Sequence, residues 1–246
     1  MIWLDSVMAV PAIGLRIKTN FKYVSEYRQR LEHFIQQLRE EYEDVFIGAV
    51  EVWGYSLNVK GDGYNFNLTH KNILVGYSYV ITQTPQAGKL PILELPNIRT
   101  FSELFKVSYK YLQDILDAIE SVSDIYFDRI GIVAEVDLEK DSLPPALTKW
   151  IEHIGKPWDN KLTDVQWRLT AKLHEEKLYY ERCHHQLIFV QDEVVKTGFK
   201  IKLDWQRVLN KPALLKPKEA LKQLDTCKEK AYEYFQKFGE GGLSYE

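Results

Sequence analysis

Residues 12–18, AIGLRIK, alternate so that Ile13, Leu15 and Ile17 share one face of a strand. The next stretch changes period. Val24, Tyr27, Leu31, Phe34, Ile35, Leu38 and Tyr42 recur at helical spacing and predict an amphipathic helix. Residues 46–60 return to alternation and read as one strand, with Trp53, Tyr55, Leu57 and Val59 on one side. A GDG turn at 61–63 leads to a short strand carrying Tyr64, Phe66 and Leu68. A second turn at 70–72 leads to a strand with Ile73, Val75, Tyr77, Tyr79 and Ile81. A proline-bearing linker with a short edge strand follows. Thr100 and Glu103 then form a capping box for a helix whose stripe is Phe101, Leu104, Phe105, Leu112, Ile115, Leu116 and Ile119.

The second half repeats this grammar. Residues 125–138 predict a strand, and 144–155 a short helix with prolines at its start and Gly155 as its stop. Strands are predicted at 164–174, 177–190 and 194–206, the last with Val195, Thr197, Phe199, Ile201, Leu203 and Trp205 on one face. A proline-bearing linker at 209–217 leads to a helix over 218–238. The expected fold class is α+β. Two β-α-β-β-β-α units, residues 1–122 and 123–239, form one compact internally duplicated body. An antiparallel sheet carries helices on one face, and 240–246 are a disordered tail. The repeat period is about 115 residues, a match of element order and not of residue identity. That order resembles folds with helices on one face of a curved antiparallel sheet, TATA-binding protein among them. The likeness is architectural and implies no DNA binding.

Composition narrows the class. The 246 residues, 45% hydrophobic and 27% charged, suit a protein that buries a core without disulfides or metals. The cysteines, Cys183 and Cys227, sit at no framework spacing, which suits a reducing cytosol. No apolar run reaches the roughly 20 residues of a membrane span. The start lacks the basic segment of a signal peptide, so a cytoplasmic location is expected. Net charge is −3, with 12 basic and 14 acidic side chains in 1–122, so neither half is basic and duplex nucleic acid is disfavoured as a partner.

The densest cluster of catalytic residue types is YYERCHHQLIF at 179–189. Alternation places Tyr179, Glu181, Cys183, His185, Leu187 and Phe189 on one face, with Tyr180, Arg182, His184, Gln186 and Ile188 on the other. Cys183 and His184 therefore point apart. Trp167 and Leu169 on one side, and Phe199 and Ile201 on the other, are expected to flank Cys183 and His185, which offers no third or fourth zinc ligand. A core cysteine and a buried histidine follow. HEEKL at 174–178 opens like a zinc-protease motif but has Leu178 in the second-histidine position. Glu175 and Lys177, with Asp164 upstream, mimic a metal-nuclease pattern, but two of the three members sit in a turn tip. Glu135, Asp137 and Glu139 line one strand edge as a solvent face. No phosphate-loop, dinucleotide or nucleophile-elbow motif occurs. The sequence thus assigns no catalytic, cofactor-binding or metal residue and implies no cofactor.

One surface stands out. Opposite the aromatic face of the first meander lie Gly54, Ser56, Asn58, Asn65, Asn67, Gly76 and Ser78, with Val50, Val52, Leu74 and Val80 beside them. Small residues and amides permit close approach of a backbone or planar ligand, and the competing reading is a wet sheet face.

VPAIGLRI, TFSELFKVSYKYLQDILDAI and DRIGIVAEVDL carry a resemblance to a sporadically distributed family of prokaryotic proteins with no established activity. The family tends to have a proline pair where this chain has Val10 and Pro11, and an aromatic and an asparagine where it has IVAEVD. The resemblance implies an accessory or interaction role and transfers no catalytic residues. The leading expectation is a non-catalytic binding or interaction protein, an accessory subunit with a protein partner or small ligand. One alternative is a metal-dependent hydrolase or nuclease around residues 174–185, which include His174 and His185. The other is a nucleotide or single-strand nucleic-acid binder. The sequence leaves the oligomeric state open.

Overall fold

The structure is a computed structural model that describes residues 2–42, 45–48, 54–59, 62–79, 82–84, 92–94, 97–139, 142–158, 164–190 and 198–241. Its elements in chain order are β1 (Met8–Thr19), α1 (Val24–Glu41), β2 (Val45–Gly48), β3 (Gly54–Val59), β4 (Tyr64–Thr69), β5 (Asn72–Tyr77), β6 (Thr82–Thr84), β7 (Ile92–Glu94), α2 (Phe101–Ala118), β8 (Ile125–Glu139), α3 (Pro145–Gly155), β9 (Asp164–Glu175), β10 (Tyr179–Val190), β11 (Gly198–Leu214) and α4 (Pro217–Gly239). Among the described residues, nine strands form one sheet in the order β2-β3-β4-β5-β1-β8-β11-β10-β9, every pair antiparallel. β6 and β7 pair separately. The fold is α+β.

Alternation explains why one sheet face is dry. A single register row crosses all nine strands through Ile47, Leu57, Phe66, Val75, Ile13, Ile132, Trp205, Cys183 and Ala171. Its members from Leu57 to Cys183 are buried. α2 lies over β1 and β5, α4 lies over β8 and β11, and α1 packs beside α2. The capping box is formed: Thr100 Oγ1 accepts from the Glu103 amide and the Glu103 carboxylate accepts from the Thr100 amide. The helical stripe of α1 buries Val24, Tyr27, Leu31, Phe34, Ile35 and Leu38. Tyr27 donates to the Thr69 carbonyl at 3.0 Å, so even this buried hydroxyl is satisfied. Tyr64, Phe66 and Tyr111 meet edge-on with centroids 5.2 and 5.3 Å apart, the arrangement that ring quadrupoles favour. Pro11 falls where β1 pairs with β8 alone, so its missing N–H breaks no ladder bond on the β5 side.

The strand order reads alike from either side of the central β1–β8 pair: β5, β4, β3 in one direction and β11, β10, β9 in the other. β2 has no counterpart, and order alone does not establish a duplication. Three expectations need correction. The strand over 46–60 is instead the β2–β3 hairpin, since the pairing of Gly48 with Ser56 turns the chain back on itself; residues 49–53 and 60, including Val50, Val52 and Trp53, lie outside the described set, as do Val80 and Ile81. β11 continues to Leu214 through the proline-bearing linker, because a register shift between Val208 and Ala213 takes up Pro212 as a bulge. Finally, Cys183 pairs with Ala171 and Trp205, and His185 with Leu169 and Leu203, so the expected neighbours Phe199, Ile201 and Trp167 lie further along. The faces were unaffected, because these offsets are even and strand side chains repeat every two residues. The tail at 242–246 lies outside the described residues.

Candidate functional site

The 179–189 cluster divides across the sheet. Cys183 and His185 point to the helix side and are buried, at 1% and 6% exposure. Burial pushes the Cys183 thiol well above the usual range, which leaves it a poor nucleophile. The His185 ring lies between Tyr234 and Phe238, 5.4 Å from each centroid, and its Nε2 is buried without a hydrogen bond among the described residues. Burial, with a smaller effect of His184, pulls His185 down to about 4. Among the described residues no group of three His, Cys, Asp or Glu side chains is placed to hold a metal. His174 bonds Glu176, and Lys172 pairs with Glu175, both near the exposed β9–β10 turn. Glu135 and Asp137 pair with Lys202 and Lys200 across β8 and β11.

This geometry fixes a pH dependence. A histidine lowered in the fold keeps the folded state neutral while the unfolded chain binds a proton below about pH 6.5. The stability contributed by neutral His185 is therefore present above about pH 6.5 and lost as pH falls toward about 4. The cost of that loss is roughly 3 kcal/mol. His185→Phe should remove this component. Urea unfolding at pH 7 and pH 4 should show a smaller drop for the variant, and an identical drop would refute the assignment.

The opposite face of the sheet carries no helix from α1, α2 or α4, and the first-meander residues lie there in register with residues of the second half. One row runs Gly48, Ser56, Asn67, Leu74, Gly14, Gly131, Gln206, Arg182 and Lys172. The next runs Phe46, Asn58, Asn65, Gly76, Ala12, Val133, Asp204, His184 and Thr170. Gly54 closes the β3 end opposite Thr69, and Ser78 accepts from Asn65 Nδ2 at 3.3 Å just past β5. Asn65 leans over Gly76, since a Cβ there would sit 2.8 Å from Asn65 Oδ1. The predicted face is thus one half of a larger surface.

At the middle of that surface is a hollow of about 230 Å³. Gly14 and Gly131, paired across β1 and β8, form part of its wall. Asn67, Asn72, Arg16, Arg129, Asp204 and Gln206 also line it. Arg16 holds Asp128 with two bonds of 2.6 and 2.7 Å, and that contact raises its pKa. Arg129 and Arg182 are different. Both donate to Gln206 Oε1, Arg129 at 3.2 Å and Arg182 at 2.9 and 2.7 Å, and no ion pair within 4 Å joins either to a carboxylate among the described residues. Gln206 in turn donates to Asp204 Oδ2 at 2.7 Å. Two guanidiniums bonded to one oxygen have charge centres at most about 8 Å apart, a repulsion of roughly 2 kcal/mol or more at an effective dielectric near 20. Burial first, then Arg16 and Arg182, lower the Arg129 pKa. Burial raises the Asp204 carboxyl. His184 bonds Thr170 Oγ1 through Nδ1 at 2.6 Å, and burial lowers its pKa. Asn67 Oδ1 is buried without a hydrogen-bond partner among the described residues.

Sequence reading found Asn67 but missed Gly14, Arg16, Asn72, Arg129, Gly131, Asp204 and Gln206 as one site, with Arg182 adjoining it through Gln206. The available signal was a glycine inside each of two strongly alternating strands, a mark of close approach by another group.

No family model matches the chain, and no curated protein matches it. One solved structure, a rolling circle replication initiator protein from Geobacillus stearothermophilus, is similar over 90% of this chain and 80% of its own. The identity is 8% and the TM-score 0.26, a likeness that carries no argument about fold or function.

Proposed function

We propose that this protein is a non-catalytic binding protein that holds a protein partner or small ligand on the open face of its sheet, centred on the Gly14–Gly131 hollow. The observation that carries this reading is the hollow itself, at the centre of a sheet face left uncovered by the helices α1, α2 and α4. Scale is consistent. Nine strands at about 4.8 Å spacing span roughly 40 Å, and the open-face residues extend roughly 20 Å along the strands, giving about 800 Å². That is the area each partner contributes to a standard protein interface, about 800 Å². The amides and hydroxyls of Ser56, Asn58, Asn65 and Ser78 supply hydrogen bonds with little charge, as interface cores do. The family resemblance in VPAIGLRI and DRIGIVAEVDL supports an accessory role in a prokaryotic system.

The test is a pull-down with the tagged protein and three open-face variants. Asn65→Arg and Ser78→Arg place bulk on the first-meander half. Gly131→Leu places bulk in the hollow, and its new Cβ meets nothing closer than 3.7 Å. All three should stay folded by circular dichroism and lose what the wild type retains. Full retention by folded variants would make this a wet sheet face only.

A further inference from the structure

We propose that a phosphoryl group binds at the rim of the hollow, held by Arg129 and Arg16, which line it, and by Arg182, which adjoins it through Gln206. This rests on the open-face reading and names the chemistry the face recognises. Two guanidiniums from β8 and β10 converge on a single neutral amide oxygen of Gln206, and no carboxylate among the described residues is ion-paired to either. Such a pair of planar donor forks is the arrangement that oxyanions satisfy, with two parallel N–H···O bonds per arginine. A tetrahedral phosphoryl anion suits it better than a carboxylate. Its oxygens point in several directions and can meet arginines approaching from different strands, whereas a carboxylate offers two oxygens in one plane.

The glycines supply the space. A side chain at residue 131 would occupy part of the hollow, and at residue 14 a Cβ would lie 2.2 Å from the Ile73 carbonyl. Asn67 brings a second, independent observation: its buried Oδ1 lacks a partner and lies beside the hollow. Turned over about its last side-chain bond, the same amide presents N–H to an anion.

Arg16, Arg129 and Asp204 line the hollow, with Arg182 adjoining it through Gln206 and Asp128 through Arg16. Asp128 is occupied by Arg16, and Asp204 accepts from Gln206. His184 and Arg168 lie on the outer side of Asp204, and Lys202 pairs away from it with Glu135. The surplus is cationic. The hollow, at about 230 Å³, accommodates one phosphoryl group and not a drug-sized ligand, whose pockets start at about 300 Å³. The group could arrive as a free phosphate compound or as one phosphate of a single-stranded nucleic acid.

The experiment follows the arginine Nε–H signals of the intact protein by NMR during titration with inorganic phosphate, and separately with a short oligothymidylate. Saturable shifts of the Arg129 and Arg182 signals are expected with at least one of them. Phosphate alone saturating the site identifies a small phosphate compound as the source, and the oligonucleotide alone identifies a nucleic-acid backbone. Arg129→Met and Arg182→Met should each weaken binding at least roughly tenfold, while Lys200→Met, whose side chain pairs with Asp137, should change it less than about twofold. Calorimetry on each variant, with its unfolding midpoint, separates lost binding from lost fold. Absence of saturable shifts with both probes, or full affinity in folded Arg129→Met and Arg182→Met, overturns the phosphoryl site. If both probes fail while Gly131→Leu still loses its partner, the phosphoryl inference falls and the open-face reading stands. If phosphate binds while Gly131→Leu keeps its partner, the open face holds a small ligand and the protein-partner part of the open-face reading falls.

Discussion

Arg207→Met should lower stability by about 3–5 kcal/mol, the usual cost of removing one member of a buried ion pair. Arg207 donates to Glu181 Oε1 through two nitrogens, at 3.0 and 2.7 Å. The two side chains are 5% and 1% exposed. A third nitrogen donates to Thr226 Oγ1 at 2.7 Å, tying β11 to α4, and the guanidinium sits 4.3 Å over the Tyr179 ring. Methionine keeps the stem and removes every one of these bonds. The Glu181 carboxylate would then be left inside the sheet–helix interface, with only the half-exposed Lys230, 3.3 Å from its other oxygen, as a cation. Replacing both members with apolar residues removes the stranded charge as well. The double variant Glu181→Leu with Arg207→Met should therefore recover most of the loss. Urea unfolding of the two single variants and the double variant measures the coupling. A single-variant loss under about 1 kcal/mol would show that the pair does not hold α4 to the sheet.

The second large effect is at Gly14. Alanine there would put its Cβ 2.2 Å from the Ile73 carbonyl oxygen and 3.0 Å from the Leu74 Cα, both backbone atoms of β5. Backbone atoms cannot turn aside as a side chain does, so the clash must open the β1–β5 ladder at Leu74. We expect Gly14→Ala to cost more than about 3 kcal/mol, at the severe end for a single substitution. Gly131 is the internal control. It is the cross-strand partner of Gly14, yet a Cβ there meets only ordinary contacts at 3.7 Å and beyond. Gly131→Ala should be neutral or slightly stabilising, because strand glycine carries an entropy cost. Equal thermal midpoints for the two alanine variants would contradict this asymmetry.

These effects also mark what could be read from the sequence. The α2 cap was legible because Thr100 and Glu103 are local, and the helix stripe because burial repeats with the helical turn. The facing of Cys183 and His185 was legible because alternation survives an even error in register. The β2–β3 hairpin was not, since the sequence of residues 49–53 continues the same apolar rhythm. The hollow was legible only in its Asn67 corner. Arg16, Arg129, Arg182 and Gln206 are brought together by the order β1-β8-β11-β10, which no spacing in the chain encodes. Alternation put Glu181 on the face of Cys183 and His185, but its partner Arg207 was hidden, since only the pairing of β10 with β11 beneath α4 brings the two together.

The central claim, that the open sheet face is where this protein binds, is tested most directly by one comparison. Wild type and Gly131→Leu are tagged, recovered from their native cells, and compared for retained partner or ligand, each with its thermal midpoint. The expected result is a midpoint unchanged or slightly raised in the variant, with the bound species lost. A variant that is equally stable and retains that species in full would place the binding site elsewhere on the molecule.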